Sequence, residues 1–401
     1  MAVSAVSVSA DAPIYVLGAG YAGLRVAQEL SRKSRGRLPV VLVDRHPVHV
    51  LRTELYEIDE LARSGDQAGR WLVPLSTALD GDRVTFREGL VESIDLEAKT
   101  LSIGGQIHRF GAIALCLGSV PAFYGVPGAK EIPHQVYGFT GARRLALTLK
   151  DALAQRAREA GAAPLRVVVV GGGSTGTELA AEIATAPWRK IAAPEVKRPE
   201  VTIVTGSVPF LDGFPDPVIE HARELLARAR VHLIEHRNVT RVDPTELRLE
   251  NGDAVPFDLS VWCAGVQAPA VVRALSVEHG RSGRLKVDPN LEVVGHPGVF
   301  AVGDVAEFRD PTTGVIAPAT AQAALAEAPV AAANLLARVR GSAMRPFVYR
   351  ERGVIVAVGI GRGAGRAGGL TLWGRPASLV KKFVERGYSY AAEHGTTPRG
   401  L

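Results

Sequence analysis

The dinucleotide-binding glycine fingerprint occurs twice in this chain, as Gly18-Ala19-Gly20-Tyr21-Ala22-Gly23 and as Gly171-Gly172-Gly173-Ser174-Thr175-Gly176. Each copy follows an apolar run of strand character and opens an apolar helical pattern. In that setting the glycines let backbone approach a pyrophosphate at a helix N-terminus. One such motif is a weak signal, because glycine-rich turns arise for many reasons. Two in one chain predict two Rossmann-like α/β domains and two dinucleotides, and a protein that holds two dinucleotides together is suited to moving electrons between them. The 401 residues, 47% hydrophobic and 22% charged, suffice for two or three globular domains.

The residues around each motif sharpen this reading. In the first unit Ile14 to Leu17 is a strand, Leu24 to Ser31 a helix, and Val40 to Val43 a second strand ending in Asp44. Asp44 stands about 20 residues beyond the last glycine, placed to accept a hydrogen bond from a ribose 2′-hydroxyl; a plain strand-end acid is the alternative. In the second unit Arg166 to Val170 and Val201 to Val204 are strands, and Glu178 to Ala184 lies within a helix. Here the second strand runs into Thr205. Loss of the acid removes both an acceptor for the 2′-hydroxyl and its repulsion of a 2′-phosphate, so NADPH as well as NADH is an expected donor. The polar, proline-containing stretch from Pro187 to Pro199 reads as a surface excursion. Later, Val299 to Val302 forms a strand that ends in Gly303-Asp304, followed by an alanine-rich helical pattern over Ala321 to Val339.

Several classes are set aside by composition. Cys116 and Cys263, the only cysteines, lie in separate apolar segments; they read as small buried hydrophobes in a reducing compartment, without disulfide or catalytic role. The formal charge of +6 is mild and spread along the chain, which suits a solvated arginine-rich surface and no nucleic-acid partner. Met1 to Asp11 lacks the basic start and apolar core of a signal peptide and reads as a loose tail. Phe110 to Ala129 is uncharged over about 20 residues, but Gly118, Pro121, Gly125, Pro127 and Gly128 break it into a buried strand, Ala112 to Leu117, and turns. His46 and His49 have no third partner at metal spacing, so no metal site is expected.

The order of the two fingerprints, Leu115-Cys116-Leu117-Gly118, Trp262-Cys263-Ala264-Gly265 and Gly303-Asp304 resembles that of the two-dinucleotide flavoprotein reductases. Without a cysteine pair beside the flavin, the disulfide-reductase and sulfide:quinone branches are excluded. The chain most resembles the type II NADH dehydrogenases, through Val43-Asp44-Arg45 with His49, Gly172 to Glu178, Val261 to Val266, Thr320-Ala321-Gln322, and Trp373 to Pro376 with Lys381-Lys382. The resemblance implies FAD on residues 11–125 and 281–340, NADH or NADPH on 160–275, and a C-terminal α+β segment over 341–401. It implies that Gly18, Ala19, Gly20, Tyr21, Ala22, Gly23, Asp44, Arg45, Thr53, Gly118, Gly303 and Asp304 hold the FAD, with His49 nearby. By the same resemblance Gly171, Gly173 and Gly176 hold the nicotinamide nucleotide, and Glu178 acts where nicotinamide meets flavin. Ala321 and Gln322 lie under the flavin beside the quinone, and Lys381 approaches from the C-terminus. Glu178 read from its position alone is a first-turn helix acid.

One departure concerns the acceptor. The family's quinone helix usually reads Ala-Gln-x-Ala-x-Gln, and here Ala326 takes the place of the second glutamine, which removes a hydrogen bond worth about 1 kcal/mol. At the C-terminus, Phe347 to Val358 suggests strands and Arg362 to Gly369 a basic turn. Ser378 to Tyr390 then reads as a helix with Leu379, Val380, Phe383, Val384 and Tyr388 on one side and Lys381, Lys382, Glu385 and Arg386 around the other. It either lies on an anionic membrane surface or packs on the flavin domain. The expected activity is hydride transfer from NAD(P)H to FAD and two-electron reduction of a quinone without proton pumping. The expected setting is the cytoplasm, peripheral on the inner face of the cell membrane, with a homodimer as candidate assembly. A reductase of a soluble electron carrier and a slow-turnover redox sensor are the alternatives.

Overall fold

A computed structural model describes residues 5–65 and 68–394. Two parallel sheets organise it. The first takes β1 (Ile14–Leu17), β2 (Val40–Asp44), β3 (Thr85–Glu88), β4 (Ala112–Leu115) and, from far along the chain, β9 (Val299–Ala301), in the order β9-β4-β1-β2-β3. Every neighbouring pair is parallel, with Ile14 opposite both Val40 and Ala112. The second sheet takes β5 (Arg166–Val170), β6 (Glu200–Val204), β7 (Val231–Ile234) and β8 (Leu259–Trp262) in the order β7-β6-β5-β8, again all parallel. β1, β4 and β8 are buried at every residue, and β5 at every residue after Arg166, as expected for strands covered on both faces. In each sheet the strand order reverses beside the strand that carries the fingerprint, which opens a crevice at the carboxyl ends of β1/β4 and of β5/β8.

Helices cover these sheets. α1 (Tyr21–Ser34) leaves β1, α2 (Ile58–Arg63) and α3 (Phe139–Arg158) connect the halves, α4 (Ser174–Thr185) leaves β5, and α5 (Asp216–Arg228) links β6 to β7. α6 (Ala321–Arg340) then packs along α1. Gly341 ends α6 in the left-handed region at φ +64°, where its amide bonds the last carbonyls. The C-terminal unit is an antiparallel sheet of β10 (Gly353–Ala357), β11 (Gly363–Ala367) and β12 (Leu370–Gly374), covered by α7 (Arg375–Glu393). Val356, Val358 and Ala364 of this unit join the core of the second sheet, while Tyr388 and Ala392 join that of the first. The C-terminal segment therefore bridges the two nucleotide-binding folds.

Three expectations are corrected. Val6 donates its amide to Arg338 O at 3.2 Å, and Val6 and Val8 pack on the first core, so the described part of the N-terminal stretch is docked; Met1 to Ser4 lie outside the described residues, as do residues 395–401 of the C-terminal segment. The Pro187–Pro199 stretch buries Trp188 and Val196 in the second core, and Trp188 Nε1 donates to Ile183 O at 2.8 Å. Within 362–369, Gly363 and Gly365 belong to β11, a strand whose backbone is approached closely, since a Cβ on Gly365 would lie 2.5 Å from Val354 O, and only Gly368-Gly369 turn. No helix among the described residues is long and apolar enough to cross a membrane.

Candidate active site

The two fingerprints are built as copies of one device. Gly18 adopts φ +98°, donates to Val43 O at 2.7 Å, and lies so close to the end of β4 that a Cβ would stand 2.4 Å from Cys116 O. Gly171 adopts φ +112°, donates to Val204 O at 2.8 Å, and a Cβ there would stand 2.2 Å from Cys263 O. The last glycines, Gly23 and Gly176, would drive a Cβ to 1.8 Å and 2.0 Å from the carbonyls of Gly18 and Gly171. The middle glycines face open space, with nothing within 4 Å of a Cβ at Gly20 or Gly173. Gly20 and Gly173 are also the N-caps of α1 and α4 and supply no side-chain cap, in contrast to α6, where Thr320 Oγ1 accepts from Ala323 N. Two helix N-termini with open approach and uncapped amides fit two pyrophosphates.

Around the first device the carboxylate of Asp44 accepts from Ala19 N at 2.8 Å and from His46 N at 3.0 Å, so it braces the glycine loop while facing the crevice edge. Tyr21 and Thr53 share a hydroxyl hydrogen bond of 2.9 Å, and Arg45 is exposed beyond them. His49 is fully buried, bonded through Nδ1 to Ala19 O at 2.8 Å and through Nε2 to Tyr388 OH at 3.0 Å. Burial pushes its pKa down to about 4, so the imidazole is neutral. Gly118 follows β4 at φ +67°. Gly303 returns beneath the same loop, with a Cβ position 3.2 Å from that of Ala22, and its amide donates to Glu327 Oε2 at 2.7 Å. Asp304 accepts from Ser119 Oγ at 2.7 Å. Burial raises Glu327 to about 8, opposed by the Gly303 amide and Arg284. Glu327, Ser119 and Arg284 carry no short motif and escape a sequence reading, as does the bond of Tyr388 to His49.

The third cluster lies where the C-terminal segment meets both folds. Glu178 is buried in the second turn of α4, which corrects its reading as a first-turn acid. Its Oε1 accepts from Ala357 N at 3.1 Å and pairs with Lys381 Nζ at 2.9 Å. Lys381 also pairs with Glu385 Oε1 at 2.9 Å and lies 4.9 Å above the Tyr56 ring. Burial disfavours the ammonium, yet Glu178 and Glu385 together hold its pKa above the ordinary lysine value. Burial raises Glu385 to about 7 against the pull of Lys381, and Glu57 to about 7 against that of Arg70. Ala321 is the first residue of α6; Gln322, next to it, donates to Gly353 O and accepts from Arg352 N, both at 3.2 Å. Lys381 and Gln322 are thus brought to the C-terminal junction, and the signal for Glu385 was its i, i+4 spacing from Lys381.

Of the two arrangements its spacing allows for α7, the structure docks the helix through its polar side. Lys381, Glu385 and Tyr388 point inward, while Leu379 and Phe383 are 69% and 76% exposed. The cysteines are closed to chemistry: burial raises Cys263 to about 12 and Cys116 further, so both thiols stay protonated. Thr205 is buried, with its hydroxyl donated to Val208 O at 2.9 Å. No group of metal-binding side chains occurs among the described residues.

Comparison with known proteins agrees with this geometry. The chain is 27% identical over 386 residues to the type II NADH:quinone oxidoreductase of Staphylococcus aureus, covering 93% of this chain and 94% of that one. It is 29% identical over 384 residues to the demethylphylloquinone reductase of Synechocystis, covering 92% and 90%. In fold it is similar to NDH2 of Plasmodium falciparum, solved in complex with NADH, with TM-score 0.79 at 15% identity over 96% of this chain and 97% of that one. The sulfide:quinone oxidoreductase of Aquifex aeolicus shares the fold at TM-score 0.77 and 19% identity, covering 96% and 92%. The pyridine nucleotide-disulphide oxidoreductase model matches residues 12–328, and with both fingerprints built as the fold demands, the chain belongs to that family.

Proposed function

We propose that this protein is an FAD-dependent NAD(P)H dehydrogenase that reduces quinone without pumping protons, an enzyme of the type II NADH:quinone oxidoreductase kind. The observation that carries the reading is the meeting of the two fingerprint folds at one junction, where Glu178 from the second fold and Gln322 from the first are both tied to the C-terminal sheet. FAD, when bound, supplies the chemistry of taking hydride from the nicotinamide and passing two electrons to the quinone. The chain's own residues supply position and charge.

In this reading residues 11–125 and 281–340 hold FAD, with Gly18 to Gly23, Asp44, Arg45, Thr53, Gly118 and Gly303-Asp304 around it. Residues 160–275 hold the nicotinamide nucleotide on Gly171, Gly173 and Gly176. Glu178, fixed by Ala357 N and Lys381, would orient the nicotinamide or protonate the quinol. Ala321 and Gln322 present the N-terminal end of α6 to the flavin and quinone. Thr205 leaves room for either donor, because no carboxylate repels a 2′-phosphate there. The exposed apolar side of α7 sets the protein on the inner face of the cell membrane, where the quinone pool lies, and a homodimer is the candidate assembly.

Anaerobic bleaching of the purified yellow protein by NADH or NADPH, followed by addition of a water-soluble quinone, tests the reading. Fast reoxidation is expected; slow reoxidation would favour a carrier-protein reductase or a redox sensor. The two donors should differ in kcat/KM by less than about a hundredfold, a 2.7 kcal/mol gap; a larger preference for NADH would remove the role given to Thr205.

A further inference from the structure

The exposed large apolar side chains concentrate in the C-terminal unit, at Ile360, Leu370, Trp373, Leu379 and Phe383. Beside them lies a cleft of about 680 Å³ that neither fingerprint uses. Its floor is apolar, formed by Trp188, Leu225 and Val358, and its rim carries Arg189, Lys190, Arg228 and Arg362; no lining residue is acidic. α4 runs its 12 residues, about 18 Å, from the second fingerprint to Thr185 at this cleft, so the cleft is a separate site. Arg228 has only an exposed pair with Glu224 at 3.7 Å, too weak to neutralise it. Arg198, also at the rim, is committed elsewhere: its guanidinium donates to Ala184 O at 2.8 Å and to Ala229 O at 2.5 Å, satisfying the ends of α4 and α5.

The cleft lies beside the first turn of α7. Arg362 precedes Gly363, where a Cβ would stand 3.5 Å from both Ala377 Cβ and Ser378 N in the first turn of α7, and exposed Leu379 follows at once. Ile360, 45% exposed, lines the cleft, held by a bond from its amide to Thr185 Oγ1 at 3.0 Å. A cationic rim over an apolar floor, opening beside an apolar surface, matches one chemistry: an anionic head on a hydrocarbon body.

We propose that this cleft is a headgroup site for an acidic phospholipid, seated while α7 lies in the membrane surface. The proposal rests on the reading of α7 as membrane-facing. Bound lipid orients the enzyme, because it fixes a second point of contact beside α7.

The test is flotation of the FAD-loaded protein with vesicles of phosphatidylcholine alone or mixed with phosphatidylglycerol, at low salt. Wild type is expected to bind both and the mixed vesicles more tightly. The double variant R228Q/R362Q should bind the mixed vesicles about thirtyfold less well and the neutral ones unchanged, with normal flavin content and normal bleaching by NADH. The pair R87Q/R109Q, exposed on the first fold, should lose less than about threefold. Equal losses for the two pairs, or none for R228Q/R362Q, would overturn the site in favour of diffuse charge. Release from mixed vesicles by inorganic phosphate, at ionic strength matched with chloride, would make it a small-anion site and overturn it too. Wild type that floats with neither vesicle, and dissociates from dimer to monomer as L379S/F383S, would show instead that the apolar face meets a second copy; the membrane reading and the lipid site then fall together.

Discussion

Gly18 and Gly171 sit at the same point of two nucleotide folds, each at a φ closed to most side chains and each against a carbonyl. An alanine at either must move backbone, a cost of about 2–4 kcal/mol. Gly18→Ala is expected to lower the Tm and strip FAD during purification. Gly171→Ala is expected to keep FAD and raise KM for the nicotinamide nucleotide, and normal KM would refute its role. Glu327 makes a different kind of residue-scale prediction. Its pKa is raised by burial to about 8, above its unfolded value, so the folded state holds a proton that the unfolded chain loses. That stability is fully present below about pH 4.5 and is lost as pH rises towards 8, by about 1 kcal/mol per pH unit within the window. Glu327→Gln keeps an acceptor for the Gly303 amide and removes the titration. The variant should therefore show a flatter Tm between pH 5 and 8, and an unchanged slope would refute the assignment. The glycines were legible because their conformations admit little else. Glu327 and the His49–Tyr388 bond were not, because their partners lie 24 and 339 residues away.

At the scale of elements, α7 shows where periodicity stops short. Leu379, Phe383 and Tyr388 at helical spacing mark an apolar side that either meets a membrane or packs on the flavin domain, and the helix docks through Lys381, Glu385 and Tyr388 and leaves Leu379 and Phe383 outside. Pattern records only that two faces differ; it does not say which one meets protein when the partner surface carries buried acids such as Glu178 and Glu57. Breaking a buried ion pair by removing one partner typically costs about 3–5 kcal/mol, because the remaining charge has no compensation. Lys381→Met leaves both Glu178 and Glu385 without their cation, so its denaturation midpoint should fall by that order. Adding Glu385→Gln should restore part of the loss, since one of the stranded acids is then neutral. Independent, additive losses in the double variant would contradict a shared Lys381 triad.

Across the whole molecule, the two strand–glycine–helix–strand units and the strand ending in Gly303-Asp304 are legible in the sequence. The strand orders, and the strands Thr85–Glu88 and Val231–Ile234 that complete the sheets, carry no motif and emerge only from the packing. The bridge between the folds is not legible either, because β10 and β11 carry short glycine-broken runs whose partners are α4 and α5, far upstream. That bridge makes one prediction about the protein as a machine. The second fingerprint lies on its own sheet, with its own crevice, and its fold meets the first at the junction of Glu178, Lys381 and α7 and through the packing of α2 and Trp71 into the second core. A charge in the open space at Gly173, introduced as Gly173→Asp, should repel the nucleotide pyrophosphate from the N-terminus of α4 without disturbing packing, since nothing lies within 4 Å of a Cβ there. The variant should purify yellow and lose bleaching by NADH at least about tenfold, yet once reduced by dithionite it should be reoxidised by quinone at the wild-type rate. Loss of quinone reoxidation as well would mean that the two half-reactions share one nucleotide-dependent conformation, and the division of labour between the two glycine fingerprints would have to be abandoned.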